Sequence, residues 1–237
     1  MLVLAGCVQP LLAPSINTAT ARVLDRLGIS LLQAPAAGCC GALSYHLSAQ
    51  ADALDFMRRN IDAWLPYLDQ GVEAIVMTAS GCGVMVKDYA DIFKHDPDYA
   101  GKAQRISAAT RDLVEILAAE DLTLLTPDVT GTVAFQSPCT LQHGQQLSGA
   151  VETLLRGLGF NLSAVANPSV CCGSAGTYSL LQPELSQQLL QNKVKALESA
   201  QPDVIATANI GCLAHIQSGT SIPVRHWIEI LDAALGN

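Results

Sequence analysis

Eight cysteines, placed twice in one pattern, constrain this chain more than any other feature. Cys7, Cys39, Cys40 and Cys82 form one set; Cys139, Cys171, Cys172 and Cys212 form a second, displaced by 132 residues at the first three positions and by 130 at the last. In each set 31 residues separate the first cysteine from the adjacent pair, and 41 or 39 separate the pair from the last. No cysteine is left over. Such regularity marks an internal duplication whose most constrained part is a group of four thiols.

The stretches between the cysteines repeat as well. Short apolar runs at 2–5, 29–32 and 74–78 predict strands, each leading into a cysteine-bearing loop. Helical spacing predicts helices over 18–27, closed by Gly28, and over 48–68 and 106–119, with Pro66 disturbing the last turn of the second. The second half predicts strands at 132–135, 160–166 and 204–207 and helices at 147–158 and 183–199, with Pro183 suited to a first turn. Arg111 and Arg225 each precede a Val/Ile-Glu-Ile-Leu core, so both halves are predicted to end in the same helix.

Alternating strands and helices give an α/β fold: two tandem repeats of a small Rossmann-like parallel β-sheet flanked by helices, related by a pseudo-twofold. Right-handed crossovers make the strands parallel and bring their carboxyl ends to one edge. The four thiols of each set should therefore converge. Two domains are expected, 1–120 and 131–237, joined by a linker that carries Pro127.

Half of the residues are hydrophobic and only 14% are charged, against roughly 25% in ordinary soluble domains. The core needs no disulfide staple, and apolar surface reserved for a partner is expected alongside the plainer reading of an Ala- and Leu-rich core. A net charge of −8 argues against a nucleic-acid partner. No apolar run reaches the roughly 18 residues of a membrane span, and no basic leader precedes Leu4-Ala5-Gly6-Cys7, which otherwise imitates a lipoprotein cleavage box.

Without a secretory signal, eight cysteines point to metal ligands or redox groups rather than disulfides. Neighbours such as Cys39 and Cys40 would in any case strain the backbone if bridged. Four thiolates suit either a tetrahedral zinc or an iron-sulfur cluster, and the spacing leaves both open. Gly41 and Gly173, directly after each pair, permit tight turns in which a backbone N–H approaches the sulfurs or a bound cofactor. Among the histidines, His46 and His143 lie off ligand spacing. His215, three residues after Cys212, is the one placed to add a ligand, with a supporting role outside the ligand set as the plainer reading. No Ser-His-Asp set, P-loop or Gly-x-Gly-x-x-Gly fingerprint is present, so no catalytic residue is assigned.

The repeated pattern of Cys, 31 residues, Cys-Cys-Gly, about 40 residues and Cys resembles the duplicated cysteine-rich CCG domain of the heterodisulfide reductases and their relatives, over nearly the whole chain. Within that superfamily the chain is similar to the C-terminal part of bacterial glycolate oxidase (glycolate dehydrogenase) iron-sulfur subunits. Thr78-Ala79-Ser80-Gly81-Cys82-Gly83, Pro138-Cys139-Thr140-Leu141-Gln142-His143 and Cys171-Cys172-Gly173-Ser174-Ala175-Gly176 carry that likeness.

The resemblance implies that all eight cysteines ligate metal, as an iron-sulfur cluster of the 4Fe-4S type, with zinc at one site as an alternative. It implies an electron-transfer subunit of a flavin-dependent glycolate dehydrogenase, inactive alone. Its partners would be flavin-containing glycolate oxidase subunits and, indirectly, a membrane quinone. The implied location is cytoplasmic, peripheral at the cytoplasmic face of the inner membrane. A zinc-stabilised structural or assembly module is the alternative function. The heterodisulfide reductase pattern ends each repeat in Cys-x-x-Cys, whereas Met85 and His215 stand at those last positions here. The ferredoxin-like Cys-x-x-Cys-x-x-Cys run of the glycolate subunits is not in this sequence, so a C-terminal piece of a longer subunit is expected.

Overall fold

Strand and helix alternate through both halves of the computed structural model, which describes residues 1–236. The first half runs β1 (Leu2–Val3), α1 (Gln9–Leu12), α2 (Ser15–Arg26), β2 (Leu32–Gln33), α3 (Ala42–His46), α4 (Gln50–Asp69), β3 (Ile75–Met77), α5 (Ser80–Lys87), α6 (Tyr89–Ile92), α7 (Ala100–Ala109), β4 (Thr110–Asp112) and α8 (Leu113–Ala118). The second runs β5 (Thr132–Gln136), α9 (Ala150–Gly157), β6 (Asn161–Leu162), α10 (Tyr178–Leu181), α11 (Pro183–Glu198), β7 (Val204–Thr207), α12 (Ile210–Gln217), β8 (Val224–His226) and α13 (Trp227–Ala234). Each half builds one wholly parallel sheet, ordered β2-β1-β3-β4 and β6-β5-β7-β8.

The fourth strand of each sheet corrects the sequence reading. A single helix expected over 106–119 is instead the end of α7, then β4, then α8. Thr110 and Asp112 point inward and are buried while Arg111 is exposed, the period-two pattern of a strand beside β3. Asp112 then starts α8 without an intervening turn. Its carboxylate accepts the Val114 N–H at 3.2 Å, and Glu115 accepts the Asp112 N–H at 2.7 Å, a reciprocal cap. The second half repeats this with His226, whose Nδ1 accepts the Ile228 N–H at 3.3 Å, and Glu229, which accepts the His226 N–H at 3.0 Å. Each half thus ends in a strand and a helix rather than a helix alone. The edge strands β2 and β6 have two residues each and are shorter than the apolar runs suggest. Pro66 is accommodated, since α4 continues through it to Asp69.

Strand alternation divides the core. Ile75 and Met77 of β3 face α4, α5 and α7, while Val76 between them faces the opposite side. Ala134 and Ile205 face α11 and α12, while Val133, Phe135 and Ala206 face the side shared with the first half. Between the sheets lies one common apolar core, in which α2 packs on α13 and α8 on α9. Because α9 is the repeat of α2 and α13 that of α8, the packing is reciprocal, as the pseudo-twofold requires. No helix among the described residues is long and apolar enough to cross a membrane.

Candidate metal centres

Every cysteine lies on the segment that follows a strand's carboxyl end. Cys7 follows β1, the Cys39-Cys40 pair follows β2, and Cys82 sits in the first turn of α5 after β3; Cys139, Cys171-Cys172 and Cys212 repeat this after β5, β6 and β7. All eight are free thiols. In the first set Cys39 touches both Cys7 and Cys40, and Cys40 touches Cys82. In the second, Cys171 touches Cys139 and Cys172, and the sulfurs of Cys172 and Cys212 lie 3.2 Å apart, far beyond the roughly 2.05 Å of a disulfide. The structure therefore brings together each predicted set of four. Cys40, Cys172 and Cys212 are buried, whereas Cys7 is open to solvent.

Thiols this close cannot all ionise side by side, so they alternate as donors and acceptors. Cys39 is held far below the ordinary thiol range by the Cys40 thiol and then the Cys7 thiol, assisted by the Gly41 amide and the Arg59 charge. Cys7 and Cys40 are raised because each donates to Cys39, and burial adds to the rise. The Cys40 thiol lowers Cys82 in turn. Cys171 is lowered likewise by Cys139 and Cys172, then by the Gly173 amide and Lys193, while Cys139 and Cys172 are raised. A multiply charged cation at the sulfurs would favour the thiolate at Cys7, Cys40, Cys139 and Cys172, the four that these hydrogen bonds hold protonated.

Two glycines shape the turns. Gly41 at φ +84° directs its N–H to the Cys39 sulfur at 3.5 Å, and Gly173 at φ +92° directs its own to the Cys171 sulfur at 3.3 Å. A Cβ at Gly41 would stand 2.9 Å from the Ala53 carbonyl oxygen, and one at Gly173 would stand 2.5 Å from that of Ser186. Only glycine satisfies both the left-handed backbone and the close helix. By contrast Gly83 sits where the halves meet, since a Cβ there would lie 2.9 Å from Gln145 Nε2.

Several residues that the sequence pattern does not mark support the two turns. Buried Asn60 on α4 accepts the Gly38 N–H at 2.8 Å and donates to the Cys39 carbonyl oxygen at 2.8 Å, while the Tyr89 hydroxyl donates to that of Cys40 at 2.8 Å. On α11, buried Lys193 donates to the Pro168 carbonyl oxygen at 2.7 Å. The available signal was a lone polar residue inside an apolar helical stripe. Ser186 donates to the Gly173 carbonyl oxygen at 2.9 Å, and its oxygen lies 3.1 Å from His215 Nε2. His215 thereby braces the Gly173 turn, while Met85, at the matching place in the first half, is buried in the apolar core.

The two centres are joined at the seam between the halves. Ser80, two residues before Cys82, receives a hydrogen bond from the Asn209 side-chain amide at 3.2 Å, and its hydroxyl meets that of Thr140, next to Cys139, at 2.8 Å. Asn209 caps α12, with its Oδ1 accepting the Gly211 N–H at 2.9 Å. Around this edge large apolar side chains stand exposed: Leu11 and Leu12 after Cys7, Leu43 and Leu47 after Cys40, and Leu180 and Leu181 after Cys172.

Among the described residues no three His, Cys, Asp or Glu side chains are arranged to hold one metal ion. The thiols of each set run instead as a string of contacts across three segments, with an amide on one sulfur. That donor set fits a polynuclear iron-sulfur group, in which several irons each take a thiolate, better than a lone zinc, which needs its ligands gathered about one centre.

A family model for the cysteine-rich domain (CCG) matches residues 1–87 and again 133–217. The chain is 54% identical over 235 residues to the glycolate oxidase iron-sulfur subunit of Escherichia coli K12, covering 99% of this chain and 58% of that one. It is 29% identical over 239 residues to lactate utilization protein A of Geobacillus thermodenitrificans, covering 95% of each. The chain thus spans little more than half the length of the Escherichia coli relative. Picrophilus torridus aspartate racemase aligns over 99% of the chain at a TM-score of 0.37 and 11% identity, too remote to bear on fold or chemistry. The two family matches fall on the two sheets and between them contain all eight cysteines, and the chain belongs to the cysteine-rich CCG domain family, whose domain it carries twice.

Proposed function

We propose that this chain is the electron-transfer part of an iron-sulfur subunit of a flavin-dependent glycolate dehydrogenase. One observation carries the reading: each half gathers four free thiols at the carboxyl edge of its own sheet, with a glycine N–H on one sulfur, in a chain 54% identical to a glycolate oxidase iron-sulfur subunit. Cys7, Cys39, Cys40 and Cys82 would hold one group, and Cys139, Cys171, Cys172 and Cys212 the other, with Gly41 and Gly173 lining them. When bound, such clusters store and release single electrons.

The protein's own part is to hold eight sulfurs in place, to limit water at the buried ones and to stabilise negative charge with oriented amides. No base or carboxylate clamp for glycolate is assigned to these residues, so hydride removal belongs to a flavin-containing partner. The exposed leucines that follow Cys7, Cys40 and Cys172 in the chain suit that partner's docking, and a membrane quinone is the onward acceptor at the cytoplasmic face. The repeats at 1–120 and 131–237 would then act as one body with two redox sites.

The test adds the iron-loaded chain to glycolate-reduced flavin subunits under anaerobic conditions and follows bleaching of its visible absorbance. Bleaching that is lost with Cys172→Ser or Cys40→Ser supports the reading. Glycolate oxidation by the chain alone, with no flavin present, contradicts it.

A further inference from the structure

Helices α4 and α11 turn the same stripe toward the thiols, displaced by 133 residues. Asn60 stands between Met57 and Ile61 in one; Lys193 stands between Leu190 and Val194 in the other, and all six are buried. The displacement is the one that relates Ala53 and Ser186, whose carbonyl oxygens press on Gly41 and Gly173. The two polar residues therefore occupy one structural position under two cysteine pairs.

Their chemistry differs. Asn60 is neutral and its amide is taken up by the Gly38 and Cys39 backbone. Lys193 has 1% of its surface exposed and one backbone acceptor, Pro168, three residues before Cys171. Among the described residues no carboxylate pairs with it. A buried ammonium needs a counter-charge, and its electrostatic partners are the four thiols Cys172, Cys139, Cys212 and Cys171. Burial holds its pKa below the ordinary lysine value, and those sulfurs offset part of that fall. The first site has a cation as well, Arg59 beside Gly38, but it is exposed and water screens it.

We infer that Lys193 is a positioning residue that makes the second thiol set the more easily reduced of the two, so that electrons entering the chain settle there. This rests on the iron-sulfur reading above. A reduced flavin donor gives up one electron; the site that takes it gains one negative charge, with no bond made or broken, and the fixed ammonium stabilises that charge. At the matching place in the first site Asn60 supplies a dipole and no net charge.

Redox titration of the iron-loaded chain tests this, with Cys40→Ser and Cys172→Ser variants assigning the two waves. Lys193→Gln keeps a donor for the Pro168 carbonyl and removes the charge. It should lower the equilibrium constant for reducing the second site at least tenfold, about 59 mV for a one-electron couple, and leave the first site unmoved. Asn60→Lys should raise the first site. No shift with Lys193→Gln, or an equal shift at both sites, overturns the assignment. If no iron and sulfide load at all, the iron-sulfur reading has failed, and Lys193 is judged on the metal-free thiols. There Lys193→Gln should slow iodoacetamide alkylation of the second set about tenfold relative to the first, and unchanged relative rates overturn the assignment.

Discussion

His226 Nε2 donates to the Thr78 carbonyl oxygen at 2.8 Å, tying the last strand of the second half to the end of β3 in the first. Its other ring nitrogen, Nδ1, accepts the Ile228 N–H, so the proton on Nε2 is set by the helix it caps. Asp112, the matching cap in the first half, receives the Gln145 side-chain amide across the same seam at 2.9 Å. Two equivalent caps, one basic and one acidic, thus hold the halves together.

These caps respond oppositely to pH. Burial lowers the His226 pKa from 6.5 to about 4, so between those values the unfolded state binds the extra proton and stability rises with pH. Burial raises Asp112 from 3.8 to about 6, so over nearly the same window the folded state holds the proton and stability falls as pH rises. Each contribution is on the order of 3 kcal/mol, and they nearly cancel. Relative to the unchanged chain, Asp112→Asn should gain stability as pH rises from 4 to 6, and His226→Asn should lose it. Urea midpoints across that range measure both, and parallel curves for all three chains would refute the assignment.

The shared core makes a second expectation. Trp64 lies in the outer core of the first half and Trp227 in the core common to both, and both are fully buried. Because α2 packs on α13 and α8 on α9, neither half has a complete core alone. Trp64→Phe and Trp227→Phe chains, each with one tryptophan left, should show coincident fluorescence transitions in urea. Midpoints that separate would mean that the halves unfold independently.

Substitution at the two turn glycines should be unequal. Gly173→Ala meets a backbone oxygen at 2.5 Å in a left-handed conformation and should cost about 3 kcal/mol, with loss of metal at the second site. Gly41→Ala meets its nearest oxygen at 2.9 Å and should cost about 2 kcal/mol. Calorimetry and iron content of each variant check the order.

Asn60 is the buried support of the first pair. Asn60→Ala leaves the half-buried Gly38 N–H and Cys39 carbonyl oxygen without their side-chain partner, a loss of about 2 kcal/mol. Tyr89→Phe removes two bonds, the one donated to the Cys40 carbonyl oxygen and a longer one accepted from the Asn60 amide at 3.3 Å, but leaves the Gly38 and Cys39 contacts of Asn60 in place, and should cost about 1.5 kcal/mol. Iron should be lost from the first site in the former and retained in the latter.

Much of this arrangement is legible in the cysteines. Their spacing, with apolar runs before them, predicts parallel strands ending at Cys7, Cys82, Cys139 and Cys212, because a buried parallel strand reads as a continuous apolar run. The strands β4 and β8 are not legible in that way. Each has three residues with an exposed arginine at its centre, Arg111 or Arg225, and passes into a helix with no Gly or Pro between. Ile106, Leu113 and Leu117 then share a helical period across the break, and the strand is visible only once β3 is there to pair with it. The seam was hidden for a related reason: Ser80, Thr140, Asn209 and Gln145 are ordinary loop and cap residues until the second half folds against the first.

Two iron-sulfur groups, one on each set of four thiols, are what the proposed function requires of this chain. Anaerobic reconstitution with ferrous iron and sulfide, followed by iron and acid-labile sulfide analysis with EPR of the reduced chain, tests this requirement most directly. Iron and sulfide should load together, about half being lost in the Cys39→Ser, Cys40→Ser chain and about half in the Cys171→Ser, Cys172→Ser chain, with a different EPR signal surviving in each. Zinc bound stoichiometrically without sulfide, or iron content indifferent to both pairs, would contradict it.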